Sequence, residues 1–261
     1  MARSFLFPQD SADPATTRLI AAAAQFTGFM KGEPGPALPG WYAPQGDNSA
    51  FLGELLVALR AAYPQAGPAF GAVRLWTNLT WQPIYLAFIA VHVHGAVPSL
   101  LGLTQRRRGI YVDGYRLRAE AQSSGTTEEM LEGAAQQLRA LSETMLEEVN
   151  ALAKLRPIPA QRLVAERVLS LLVRLARKRP DLSNEQTRAL AQLWLGALDM
   201  EGRGELEAVG APDGTDVLIV RRKGCCLDYL ITPDRLCSNC PRQDEEQRRA
   251  RQLADAVAER G

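Results

Sequence analysis

Residues 126–155, TTEEMLEGAAQQLRALSETMLEEVNALAKL, and 159–178, PAQRLVAERVLSLLVRLARK, decide the fold of this chain. The first stretch opens on Thr126-Thr127-Glu128-Glu129, a capping box that predicts a long helical region towards Leu155. The second stretch is rich in leucine and valine at helical spacing. A further capping box, Ser183-Asn184-Glu185-Gln186, predicts the next helix. The middle of the chain is therefore expected to be a helical bundle.

Helices are also expected before this bundle. Ala15 to Met30 has apolar residues at helical spacing, and a second amphipathic helix is predicted to start at Ser49, as its N-cap, and to end before Pro64. From Pro83 to Leu103 no charged residue occurs, and a run of that length is long enough to cross a bilayer. Because two histidines, Gly95, Pro98 and Ser99 interrupt it, we expect a buried helix instead.

Short strands complete the predicted fold. Asp113-Gly114, within Ile110–Leu117, is typical of the turn of a β-hairpin, and 216–220 has the pattern of a strand. A polar helix is predicted from Asp244 onward. We predict a mainly helical α+β protein, with a helical domain over 1–202 that carries a hairpin near 110–118, and a cysteine module over 203–261.

Composition limits the classes of function. The 261 residues are 46% hydrophobic and carry a net charge of +1, which argues against binding to nucleic acid, since such domains usually have a basic excess. The first residues, MARSFLFPQDSADPA, lack the apolar core of a secretory signal, so a cytoplasmic location with at most peripheral membrane association is expected. Thiols stay reduced in that compartment, and the four cysteines are expected to serve metal binding or redox chemistry.

All four cysteines lie within residues 224–242, GCCLDYLITPDRLCSNCPR. Cys225 and Cys226 are adjacent, ten residues follow, and Cys237 and Cys240 form a Cys-x-x-Cys pair. A [2Fe-2S] cluster needs four thiolates, two for each iron, while soft sulfur ligands also suit Zn²⁺ or Cu(I). Structural zinc sites usually have two Cys-x₂₋₄-Cys knuckles, and only one is present here. A zinc site and a redox disulfide switch remain the alternatives, and Gly224 is expected to permit the turn that brings the adjacent thiols together.

This pattern resembles the C-terminal iron-sulfur domain of FhuF-type siderophore-iron reductases. The Cys-Cys-x₁₀-Cys-x₂-Cys spacing, the preceding basic run Arg221-Arg222-Lys223 and the following Pro241 all match over roughly residues 216–242. Trp76-Thr77-Asn78-Leu79-Thr80-Trp81 resembles a tryptophan-containing segment of the same family.

The resemblance implies a [2Fe-2S] cluster on Cys225, Cys226, Cys237 and Cys240, with no catalytic residue beyond the cluster. It also implies an oxidoreductase that passes one electron to Fe³⁺ in an imported ferric siderophore and releases the more weakly held Fe²⁺. The alternatives are an iron-sulfur electron carrier or sensor without siderophore chemistry, and a zinc-stabilised interaction module. No dinucleotide-binding or P-loop motif occurs in the sequence, so an external electron donor, a ferredoxin or a flavin reductase, is expected.

Other residues are assigned provisional roles. Cations that flank the cysteines are expected either to tune the potential of the cluster and dock the donor, or to form a solvated surface; they are Arg221, Arg222, Lys223, Arg235 and Arg242. Basic residues that either attract an anionic substrate or are simply solvated are Arg106, Arg107, Arg108, Arg116 and Arg118. Aromatic residues of either a substrate pocket or the core are Trp41, Tyr42, Trp76, Trp81 and Trp194. His92 and His94 are two apart, which separates them on a helix and argues against a shared metal.

Overall fold

A computed structural model describes residues 14–258. Over this range the chain forms seven α-helices and two small β-sheets, which confirms a mainly helical α+β fold. The helices are α1 Pro14–Thr27, α2 Ser49–Ala62, α3 Gly67–Ile89, α4 Thr127–Leu152, α5 Pro157–Lys178, α6 Asn184–Ala197 and α7 Glu245–Ala258. The strands are β1 Gly32–Pro34, β2 Leu103–Arg108, β3 Tyr111–Leu117, β4 Gly204–Gly210 and β5 Asp216–Arg222. The predicted absence of a secretory signal concerns residues 1–15, of which 1–13 lie outside the described range.

The bundle is built as the capping boxes and apolar spacing predict. Thr126 Oγ1 accepts from the Glu129 amide, and the Glu129 carboxylate accepts from the Thr126 amide at 2.8 Å, so α4 begins where expected. Ser183 and Gln186 form the same reciprocal pair at the start of α6. The leucines and valines of α5 face α3, α6 and the β4–β5 sheet.

The start of α2 differs from the prediction. Asn48 holds the N-cap position, and Ser49 is the first helical residue. Asn48 makes no capping bond, because its Nδ2 donates to Glu148 of α4 at 2.7 Å while its Oδ1 accepts from the Ala43 amide. Tyr42 Oη donates to the other oxygen of Glu148 at 2.7 Å. A buried polar cluster therefore fixes the start of α2 against α4.

The uncharged stretch from Pro83 is mostly buried, as expected, although Val93 and Leu101 are exposed. It completes α3 and passes into a π-helical turn over Ala90–His94, so the helix ends well before Leu103. Trp76 of α3 is buried and donates its indole N–H to the Ala160 carbonyl of α5 at 3.0 Å. Within the described residues, no helix combines the length and the apolar character that a membrane span requires.

The hairpin is present, but its turn is not at Asp113-Gly114. Strands β2 and β3 pair from Leu103 to Leu117 and turn at Gly109-Ile110, where Gly109 has φ +61°. Asp113 and Gly114 lie inside β3 as a β-bulge opposite Arg106. The bulge shifts the alternation of β3, so that Val112 and Tyr115 are both buried. Strand β1 adds to β3 in parallel, giving the order β1-β3-β2.

The second sheet brings the cysteine segment against the bundle. Strands β4 and β5 pair in antiparallel register and pack against α5. Leu218 and Val220 of β5 belong to the same hydrophobic core as the bundle. The division of the chain at residues 202 and 203 remains a prediction.

The C-terminal helix α7 forms as predicted, but its apolar residues do not define its buried face. The buried positions are Arg248, Gln252 and Ala256, while Val257 is exposed. A polar contact explains this burial of Gln252: its Oε1 accepts a hydrogen bond from the Val220 amide of β5 at 3.2 Å. This face satisfies backbone groups near the cysteines rather than filling a core.

The bulge gives a test of the hairpin register. Gly114 has φ +98°, so Gly114→Ala should strain the backbone and lower the free energy of unfolding by about 1–2 kcal/mol. Gly133, inside α4 with open space at its Cβ position, is the matched control, and Gly133→Ala should raise it by up to about 1 kcal/mol. Urea denaturation of both variants is the measurement. Equal stability of Gly114→Ala and the wild type would contradict the assigned bulge.

Candidate metal centre

The first two cysteines follow directly after β5. Gly224 has no unusual φ; its role is close packing, because a Cβ there would lie 3.0 Å from Cβ and 3.2 Å from the carbonyl carbon of Arg162 on α5. The turn comes later, at Leu227, whose φ is +62°, and a short 3₁₀ turn over Asp228–Leu230 continues it. The left-handed residue beside the adjacent cysteines is therefore Leu227 and not Gly224, while the convergence of the Cys225 and Cys226 thiols on one centre stays a prediction.

Three side chains form a group that could hold a metal ion. Their ligand atoms, the thiols of Cys226 and Cys237 and a carboxylate oxygen of Asp228, all lie within 4.8 Å of one another. The Cys226 and Cys237 sulfur atoms are 3.9 Å apart. Two thiolates at about 2.3 Å from one tetrahedral ion lie roughly 3.8 Å apart, so this separation fits a shared metal. Asp228 was not predicted as a ligand, although it stands within the quoted cysteine stretch.

The other two cysteines adjoin this group. Cys240 is buried and Cys225 is partly exposed, and all four thiols are free. Burial raises the pKa of Cys225, and the neighbouring Cys226 and Cys240 add to the effect. The charge of Cys240 likewise acts to raise the pKa of Cys237. The four thiols thus share one electrostatic environment, with Cys226 and Cys237 as the close pair. Their joint assignment as cluster ligands remains a prediction.

The close pair shares a proton. The hydrogen bond between the two thiols raises the pKa of Cys226 and lowers the pKa of Cys237 to about 6. The hydrogen bond between the two sulfur atoms therefore favours a thiolate within the pair, and thiolates are the form that binds a metal.

Arg222 is the cation that the structure brings to the thiols. It is buried, and although burial alone would lower its pKa, Glu166 and the Cys226 and Cys237 thiols raise the pKa of this guanidinium. Asn239, between Cys237 and Cys240, accepts from Arg222 at 3.5 Å and donates to Glu166 at 3.2 Å. A buried positive charge thus faces the sulfur atoms and is balanced by a carboxylate of α5.

The other predicted flanking cations point elsewhere. Arg221 pairs with Glu205 and Glu245, and Lys223 donates to the Gly202 carbonyl at 3.1 Å. Arg242 stacks on the Tyr229 ring at 4.1 Å, and Arg235 is exposed. Of this predicted set, Arg222 is the residue suited to tune a centre on the thiols.

Polar residues outside the cysteine motif hold the Cys-x-x-Cys loop. The buried Gln243 donates to the Cys237 carbonyl at 2.7 Å and to the Ser238 carbonyl at 3.2 Å. Arg251 of α7 donates to Gln243 at 2.6 Å and to the Leu236 carbonyl at 2.8 Å. Sequence periodicity did not indicate this role for Gln243, which precedes α7, or for Arg251, on an exposed position of α7.

A cleft of about 600 Å³ lies between α3, α5 and the β2–β3 hairpin. Its charged lining residues are Lys31, Arg74, Arg108, Asp113 and Arg167. Its aromatic lining residues are Phe29, Tyr63, Trp81, Tyr85 and Tyr111. Arg74 of this cleft pairs with Asp228 at 2.6 Å. One ion pair therefore connects the cleft directly to the group of Cys226, Asp228 and Cys237.

The structure separates the predicted basic residues of the substrate region. Arg108 lines the cleft, whereas Arg107 pairs with Glu54 and Arg106 is exposed. The remaining two are also engaged elsewhere: Arg116 lies 4.0 Å from Glu33, and Arg118 lies 3.5 Å from Glu120.

The predicted aromatic residues divide in the same way. Trp81 lines the cleft and donates to the Val112 carbonyl at 2.8 Å. Trp76, Trp194 and Tyr42 are core residues, and Trp41, partly exposed, is not part of the cleft lining.

The two histidines do not share a site. Trp194 donates its indole N–H to His92 Nε2 at 2.8 Å, and burial lowers the pKa of His92 to about 4. His94 instead lies 2.9 Å from the Gln122 side chain. The predicted separation of the two imidazoles is confirmed.

No protein-family model matches this chain, and no solved structure matches it.

Arg222 provides a test of the electrostatics. Replacing Arg222 by Gln should raise the pKa of Cys237 by roughly one pH unit, because a facing positive charge that favours the thiolate is lost. The thiolate fraction of the metal-free protein at neutral pH should therefore fall. Thiolate absorbance measured against pH is the readout, and Arg221→Gln, on the exposed neighbour, should leave the curve unchanged. If thiolate absorbance depends on pH in the same way in Arg222→Gln and Arg221→Gln, Arg222 does not lower the pKa of Cys237.

Proposed function

We propose that this chain is a ferric-siderophore reductase that reduces chelated Fe³⁺ by one electron and releases Fe²⁺. In this proposal Cys225, Cys226, Cys237 and Cys240 hold a [2Fe-2S] cluster, and an external ferredoxin or flavin reductase supplies the electron. The resemblance of the cysteine pattern to FhuF-type reductases motivates the proposal. The observation that carries it is the Arg74–Asp228 ion pair, since it connects a small-molecule cleft with the thiol group.

The donor set fits such a centre. A [2Fe-2S] cluster takes two thiolates on each iron, and the Cys226–Cys237 pair is already at a separation that one metal ion can bridge. When bound, the cluster supplies the ability to take up and release one electron. The buried Arg222 offsets part of the negative charge of four thiolates, and the Glu166–Asn239 contact holds Arg222 in place.

The protein's own residues would bind and orient the substrate. Arg74 is shared between the cleft and Asp228, so an anionic group of a bound chelate can reach the same guanidinium. The aromatic lining excludes water from one side of the cleft and offers faces for stacking. The cleft thereby brings Fe³⁺ of the substrate towards the cysteine loop without a covalent step on the protein.

A second candidate rests on the tight group of two thiols and one carboxylate. Cys226, Asp228 and Cys237 would suffice as three ligands of a single ion such as Zn²⁺. This would make the segment a metal-stabilised structural element. An iron-sulfur carrier or sensor without siderophore chemistry is the third possibility, and turnover on ferric siderophores separates it from the reductase.

Metal content of cysteine variants discriminates between the two kinds of centre. If a [2Fe-2S] cluster is held by four thiolates, Cys225→Ser, Cys240→Ser and Cys226→Ser should all lose most of the iron and sulfide. Iron and sulfide analysis with visible absorbance is the measurement, and Ser238→Ala, inside the same loop, is the control that keeps both. Retention of a metal without sulfide in Cys225→Ser and Cys240→Ser would establish the single-ion site instead.

Turnover tests the link between the centre and the cleft. Arg74→Gln should lower kcat/KM for a ferric siderophore roughly tenfold, because a charge-assisted contact is lost, while the iron content stays the same. Arg139→Gln is the matched control, since it breaks an ion pair with Asp199 away from this cleft. If Arg74→Gln turns over like the wild type, the cleft is not the substrate site. Absence of turnover in a fully loaded wild-type protein would reject the reductase.

A further inference from the structure

We infer that the cleft between α3, α5 and the β2–β3 hairpin binds an anionic metal chelate, of the catecholate or carboxylate type, in preference to a neutral one. The inference rests on the proposed function for the identity of the metal as iron. Its claim about charge rests only on the lining residues.

The charge of the cleft is strongly one-sided. Four cations, Lys31, Arg74, Arg108 and Arg167, line it, against the single carboxylate of Asp113. Arg74 is paired with Asp228, but among residues 14–258 no carboxylate forms an ion pair with Arg108, Arg167 or Lys31. A concave site with unneutralised cations attracts anions and strengthens their contacts as water is displaced.

The cations come from separate elements that converge on one space. Arg74 lies on α3, Arg167 on α5 and Arg108 at the end of β2. Packing between these elements fixes their separation, so the positive charge is not an accident of one flexible segment. Arg167 is partly exposed and stacks over the Tyr85 ring at 5.9 Å, which limits the positions of its guanidinium.

Aromatic rings that pack against one another form the apolar part of the cleft. Trp81 and Tyr85 are perpendicular at 5.7 Å, and Phe29 is within 6.0 Å of both rings. Phe29 is 46% exposed and lines the cleft, so its ring is accessible to a ligand there. The volume of about 600 Å³ falls within the common range for small-molecule sites, about 300–1,000 Å³. Aromatic faces beside guanidinium groups suit a bulky chelate with planar, negatively charged arms.

Gallium(III) complexes test this preference apart from any redox reaction, because gallium(III) is not reduced under these conditions. Isothermal titration calorimetry would compare the anionic tris-catecholate and citrate complexes with the neutral tris-hydroxamate complex. Both anionic complexes should bind at least about tenfold more tightly than the neutral one. If the tris-catecholate complex binds more tightly than the citrate complex, the preferred ligand is an aryl chelate; if the citrate complex binds more tightly, it is a carboxylate chelate. Either result supports the inference.

Variants assign the binding to the cleft. Arg108→Gln and Arg167→Gln should each weaken binding of the anionic complexes roughly tenfold and leave the neutral complex unchanged. Arg106→Gln, an exposed arginine on the same strand as Arg108, is the matched control and should bind like the wild type. Raising the salt concentration should weaken anionic binding in the wild type more than in Arg108→Gln.

The results separate this inference from the proposed function. Equal or tighter binding of the neutral tris-hydroxamate, or equal effects of Arg106→Gln and Arg108→Gln, overturns the inference even if ferric siderophores are reduced. Binding of the anionic gallium complexes with no reduction of their ferric counterparts supports the inference while rejecting the reductase. No measurable binding of either anionic complex overturns the inference as well.

Discussion

Close packing of the cysteine segment on α5 is the constraint on which the rest of the site depends. Gly224 lies against the backbone of Arg162, where a Cβ would be too close, so the chain leaves β5 in direct contact with the helix. One turn further along α5, Glu166 contacts the Cys-x-x-Cys loop through Asn239. The next residue, Arg167, lines the cleft instead. A single helix, α5, thus sets the relation between the thiols and the cleft.

Charges around the thiols are arranged in pairs that reduce the cost of burial. Arg222 would be costly to bury alone, but Glu166 and the thiols provide its opposite charge. Asp228 stands beside Cys226 and Cys237 and is balanced by Arg74 from α3. The two pairs differ in their surroundings, because Arg222 is enclosed by protein whereas Arg74 opens into the cleft. One cation is therefore suited to stabilise the centre, and the other to meet a ligand.

The side chains that bond to the backbone of the cysteine loop are polar residues that sequence patterns assign to the surface. Gln243 and Arg251 satisfy three backbone carbonyls around Cys237, and Gln252 satisfies the Val220 amide. Irregular loops contain backbone groups that no helix or strand pairs, so the side chains of Gln243 and Arg251 take that role here. On the buried side of α7, Gln252 does the same for the Val220 amide of β5.

The sequence by itself determined the elements whose signals are local. Capping boxes and apolar spacing located α4, α5 and α6, because these patterns act within one helix. Cysteine spacing indicated the segment that could hold a metal, because its sulfur ligands lie close together in the sequence. The hairpin was found, but its turn was misplaced, since both Gly109 and Gly114 adopt positive φ and only burial of Val112 and Tyr115 decides which makes the turn. Tertiary structure alone decided which charged residues meet. Arg74, Asp228 and the adjacent pair Glu166 and Arg167 come from three distant parts of the chain. Their meeting depends on helix packing, which no spacing in the sequence indicates.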